Sequence, residues 1–156
     1  MLFYFLVLLS VFFVYSPWLT LSKNLSSGDW PYLFVQNIQA FKILTEPPFL
    51  WLEPYYQLTA KLGAQVFFLQ WEAIEKIFWF LPFLTISLLS SYFFLKYLIK
   101  EFEIDGKESA IFISLGSLIF VTNTYILMLA GGGQIGVAMG YSLIPLIIRT
   151  VFKVYQ

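Results

Sequence analysis

The chain has 156 residues, of which 60% are hydrophobic and 21% aromatic, and nine basic side chains balance nine acidic ones. Charged residues make up 12%, about half the share of a soluble domain, so a soluble globular domain and a disordered chain are both excluded, as is a nucleic-acid partner, which needs a basic excess. Cysteine and histidine are absent, which removes disulfides, thiolate metal sites and every catalytic arrangement that depends on imidazole.

The apolar runs predict an all-α, polytopic helical membrane protein with three to four transmembrane helices and membrane lipid as its surroundings. No charge precedes Lys23, and residues 1–21 read as the first transmembrane helix, since about 20 apolar residues cross a bilayer core. A cleaved signal peptide is the rival reading. It requires a basic leader, a shorter apolar core and a small-residue cleavage site, and none of these is present. Residues 22–76 form a long outer loop. The second span is 77–99, whose one charge, Lys96, can snorkel to the interface. A charged loop, 100–109, leads to the third span, 110–130. Within that span Asn123 reads as a hydrogen-bonding link to a neighbouring helix.

The glycine run 131–133 breaks the third helix. The next apolar stretch, 134–148, is short for a full crossing and holds Gly136, Gly140 and Pro145, so a straight, a kinked and a re-entrant helix all stay open. Residues 149–156 form the end, with Arg149 and Lys153. Basic residues of short loops mark the cytoplasmic side. Lys96, Lys100 and Lys107 therefore place the loop 100–109 inside. The N-terminus is then inside as well, and 22–76 and the glycines are outside, in a protein integral to the plasma membrane.

The outer loop is where chemistry has room. It is rich in Trp and Tyr (Trp30, Tyr32, Trp51, Tyr55, Tyr56, Trp71), residues that favour the headgroup level. Its apolar spacing predicts amphipathic interfacial helices, one before Pro47-Pro48 and one from about Tyr55 to Ile74, loosened at Gly63. Asp29 lies in the polar stretch Ser26-Ser27-Gly28-Asp29-Trp30-Pro31. Two readings of Asp29 compete. It can cap the helix that Pro31 starts, or it can stand at the membrane surface as a base for a hydroxyl or a partner of a phosphate-bound metal. Glu46 and Glu53 flank the Pro-Pro turn and are secondary candidates. Glu72, Glu75 and Lys76 read as interface charges at the mouth of the second span. Gly131, Gly132 and Gly133 are either a tight turn or a set of backbone amides open to an anion. No metal-ligand set is evident.

The order of these features resembles the multi-spanning membrane glycosyltransferases of the GT-C superfamily. The matching residues are Gly28-Asp29-Trp30 after a first span, Trp51 and Gly63 in a long amphipathic outer loop, and Glu75-Lys76-Ile77-Phe78-Trp79-Phe80-Leu81-Pro82 opening the next span. Asn123-Thr124-Tyr125, the glycine run, and Tyr141-Ser142-Leu143-Ile144-Pro145-Leu146 follow. Within the superfamily the pattern is similar to bacterial arabinofuranosyltransferases and YfhO-type lipoteichoic-acid glycosylation proteins. The resemblance implies that Asp29 is the required acid of the first outer loop, as base or as partner of a divalent metal. It also implies a polyprenyl-phosphate sugar as the donor. Such enzymes have many more spans, so the resemblance makes these residues the N-terminal part of one, inactive alone, with missing C-terminal spans or a partner membrane subunit to complete it. The end just past a short apolar stretch is expected to be a truncation. Two other readings remain: a fragment of a transporter or lipid-handling permease, and a small non-catalytic membrane subunit.

Overall fold

The structure, a computed structural model, describes residues 2–19, 55, 58–59, 61–104, 106–132 and 134–155. Asp29, Glu46, Glu53 and Gly133, and with them most of the outer loop, lie outside the described residues. The described residues are all-helical, with no strand among them. In chain order they form α1 (Leu2–Leu19), the wide π-helical turn α2 (Leu62–Val66), α3 (Trp71–Glu75), a second π-helical segment α4 (Lys76–Phe80), α5 (Leu81–Glu101), α6 (Lys107–Thr122), α7 (Thr124–Gly131), α8 (Ile135–Ser142) and α9 (Ile144–Val154).

Among the described residues, three helices are long and apolar enough to cross a membrane: Glu72–Glu101 with 30 residues, Glu108–Gly131 with 24 and Ile135–Val154 with 20. Thirty residues rise about 45 Å, more than the roughly 30 Å of a hydrocarbon core, so the ends of the first of these reach into the headgroup layers. The helix α1 is shorter, 18 residues, and carries no charge. Its outward side chains Phe5, Leu8, Leu9, Phe12 and Phe13 are exposed, as are Ile111, Phe112, Leu115 and Ile119 on α6. So broad an apolar surface is costly in water and is matched by lipid.

Ring contacts fix the directions of the helices. Tyr4 meets Tyr92 at 6.2 Å, and Tyr15 meets Phe80 at 5.6 Å and Phe83 at 6.1 Å, so α1 runs antiparallel to α5. Tyr15 also reaches Val121 of α6, which makes α1 and α6 parallel. The bundle therefore has two ends. A loop end holds the start of α1, the turn at 102–106 and the end of α9. A glycine end holds the end of α1, residues 61–71 and the turn at 131–134. Small residues let the helices approach one another: a Cβ on Gly116 would stand 2.7 Å from Leu95 Cδ1.

Four interruptions break these helices, and at each of them a side chain donates to a backbone carbonyl. Pro17 has no N–H to give to Phe13 O, and the Ser16 hydroxyl donates there at 2.8 Å. Pro82 likewise cannot serve Phe78 O, and the Tyr55 hydroxyl donates to it. The π-helical turn α4 lies just ahead of Pro82 and absorbs the extra room that its ring needs. At Asn123 the backbone is extended, with φ −66° and ψ 154°, and α6 stops. Asn123 Nδ2 donates to Phe120 O at 2.6 Å, and the Tyr15 hydroxyl donates to Val121 O at 2.6 Å. At Leu143, between α8 and α9, the Ser90 hydroxyl of α5 donates to Ser142 O. An unsatisfied carbonyl in hydrocarbon costs several kcal/mol, so breaks at these depths persist only with such partners.

Two expectations change. Asn123 is not a link between helices: its Oδ1 accepts from Ile126 N at 3.0 Å, which makes it the N-cap of α7. The extended backbone at 123 exposes local donors and acceptors, and the side chain satisfies those first. The last apolar stretch continues past 148 to Val154 and is kinked at Leu143, so Arg149 and Lys153 lie within a helix rather than beyond it.

Candidate functional site at the glycine end

Polar groups are drawn into the protein at the glycine end. The segment 61–70 folds back over the mouth of α3. Its turn uses Phe68 with φ 53°, a left-handed conformation that a bulky residue adopts only when its neighbours hold it. Leu69 N donates to Gly63 O at 2.9 Å and Phe67 N to Leu62 O at 3.1 Å, which fastens the turn. Gly63 is required by close approach, because a Cβ there would stand 2.7 Å from Ile74 Cδ1.

This cover buries the start of the long helix. Glu75 is 1% exposed and Lys76 3% exposed, so they are not the interface charges their position at a span mouth suggests. Both make polar or electrostatic contacts, as buried charges must. Beside them Trp79 is buried, donates Nε1–H to Thr59 Oγ1 at 3.2 Å and packs edge-on to Tyr55 at 4.9 Å. Burial pushes the Tyr55 phenol above its ordinary range, so its hydroxyl stays protonated and keeps donating to Phe78 O.

The glycine turn stands at this same end. A Cβ on Gly131 would lie 3.9 Å from Trp18, in the last turn of α1. The Gly132 N–H donates to Met128 O at 2.8 Å and Gln134 N–H to Leu129 O at 2.8 Å. These two amides close the end of α7, and the geometry of Gly131 and Gly132 is that of a tight turn. Chain direction brings α1 out at this end too, and Asp29 follows Leu19 in sequence by ten residues. Among the described residues, no group of three or more carboxylate, histidine or cysteine side chains comes together.

Sequence reading missed the burial of Glu75 and Lys76. One signal was present: Glu75, Trp79 and Phe83 recur every four residues, which puts the carboxylate in line with two aromatic residues that pack inward. Comparison with protein families, curated proteins and solved structures gives no match.

Proposed function

We propose that the chain is the N-terminal part of a membrane glycosyltransferase that moves a sugar from a polyprenyl-phosphate donor to an acceptor at the outer face of the plasma membrane, with its N-terminus inside. The observation that supports this most is the burial of Glu75 and Lys76 at the bundle end where α1 hands the chain on to the segment containing Asp29. In the reaction the acceptor oxygen bonds to the anomeric carbon, the bond from that carbon to the donor phosphate breaks, and polyprenyl phosphate leaves with the electron pair. Asp29 takes the proton of the acceptor hydroxyl. Lys61, half-buried, and Lys76 supply positive potential for the departing phosphate. Further spans or a partner membrane subunit complete the cavity.

The test is transfer of labelled sugar from a polyprenyl-phosphate donor in membranes that carry the whole reading frame. Asp29→Asn should lower transfer by about 10²–10⁴-fold at an unchanged protein level, with Asp29→Glu retaining part of it. Transfer that survives Asp29→Asn contradicts the reading. A permease is the second reading, favoured by the helix breaks at Asn123 and Leu143, since transporters place substrate at discontinuous helices. In that case Asn123→Ala alters substrate uptake and Asp29→Asn does not.

A further inference from the structure

At the loop end the packing of α5 and α9 gathers cations into one groove. The two helices run in parallel, and the Arg149 guanidinium lies over the Phe93 ring at 5.5 Å. Arg149 Nε is buried and has no hydrogen-bond partner among the described residues. On α5, Phe93, Lys96 and Lys100 fall within about 60° of one another around the helix, and on α9 Lys153 follows Arg149 by one turn. Lys96, Lys100 and Lys153 are exposed, and the Lys96 ammonium sits 5.9 Å from the Tyr92 ring centre. Glu101, in the last turn of α5, points about 100° away from Lys100. Four cations from two helices therefore face one strip, within two turns of the helix ends, where lysine and arginine stems lie along apolar surface and their heads reach the headgroup level.

We propose that this groove binds the phosphate of an anionic phospholipid, whose acyl chains lie along the exposed apolar residues Leu89 and Phe93, which share one face of α5 with Lys96 and Lys100. A lipid fits better than a free anion because one face offers both requirements: cations at the headgroup depth and an apolar strip below them. Basic pockets between membrane helices hold anionic headgroups in this way. The Arg149 guanidinium, held over Phe93 at the side of this strip, supplies charge-assisted donors for a phosphate oxygen. The site is separate from the glycine end, and its role is to anchor α9 against α5.

The test is native mass spectrometry of the full chain from micelles that contain phosphatidylglycerol and phosphatidylcholine in equal amounts. The chain should retain phosphatidylglycerol in preference, and the preference should fall about five-fold for each cation removed in Lys100→Gln and Lys153→Gln. Both residues are exposed, so these variants keep the fold, and Arg149→Gln should lose the most. Inorganic phosphate at millimolar concentration should not displace the lipid. Equal retention of the two lipids, an unchanged preference in Lys100→Gln/Lys153→Gln, or displacement by inorganic phosphate alone would overturn the proposal.

Discussion

The two ends of the bundle treat charge in opposite ways. At the loop end Lys100, Glu101, Glu103 and Glu108 are exposed, and α5 closes with a regular cap in which Ile104 N donates to Ile99 O at 3.0 Å. At the glycine end Glu75 and Lys76 are buried, the helix that carries them widens into a π-helical turn, and the segment before it packs back over them. Burying a charge is expensive unless it is well paired, and π-helical turns cluster at functional sites. The charges around the loop turn obey the rules for surfaces. The glycine end departs from them, and that is the reason to place chemistry there.

Charge removal should break the comparison most sharply. Glu75→Ala or Lys76→Ala removes a buried charge from among the groups that compensate it and should cost about 3–5 kcal/mol. Glu108→Gln at the loop end should stay within about 0.5 kcal/mol. Reversible unfolding in mixed micelles measures both. Next in size is Gly63→Val, whose side chain collides with Ile74 and should cost about 1–3 kcal/mol by overpacking. Adding Ile74→Ala should restore part of the loss.

Tyr15→Phe leaves Val121 O without its donor at the break near Asn123 and should cost about 1–3 kcal/mol. Ser90→Ala removes the donor to Ser142 O. It should cost less, about 0.6 kcal/mol, the average for hydrogen bonds between membrane helices. The loop end should supply a change of opposite sign. Glu103 has φ 53°, and a left-handed residue with a side chain carries roughly 1–2 kcal/mol of strain, so Glu103→Gly should stabilise the chain by up to that amount.

Composition alone made the all-helical membrane class legible, because periodicity is not needed to recognise runs of apolar residues as long as a bilayer is thick. The interruptions were only half legible. Pro145 and the glycine run marked places where a helix changes, whereas Pro82 read as a residue tolerated in a first turn, and the donors that make the changes near Pro82 and Leu143 tolerable come from distant residues, Tyr55 for Phe78 O and Ser90 for Ser142 O, which no local pattern reveals. Asn123 misled for a related reason. Depth in a membrane suggests a partner on another helix, whereas a residue at a backbone break finds its first partners in its own chain. Glu75 and Lys76 misled because a charge at the mouth of a span normally faces water, and it is tertiary packing at the glycine end that buries them. Asp29, Glu46 and Glu53 lie outside the described residues, so the candidate catalytic acid still rests on the sequence pattern and on the end at which α1 finishes.

The most direct test of the claim that the glycine end is the outer, chemically active face uses the natural absence of cysteine. Gly132→Cys and Glu103→Cys each give the chain a single exposed thiol, one at either end. Intact cells are treated with a membrane-impermeant maleimide before and after permeabilisation. The account predicts labelling at 132 in intact cells and at 103 only after permeabilisation. Labelling at 103 from outside, with 132 protected, would turn the molecule over and contradict it.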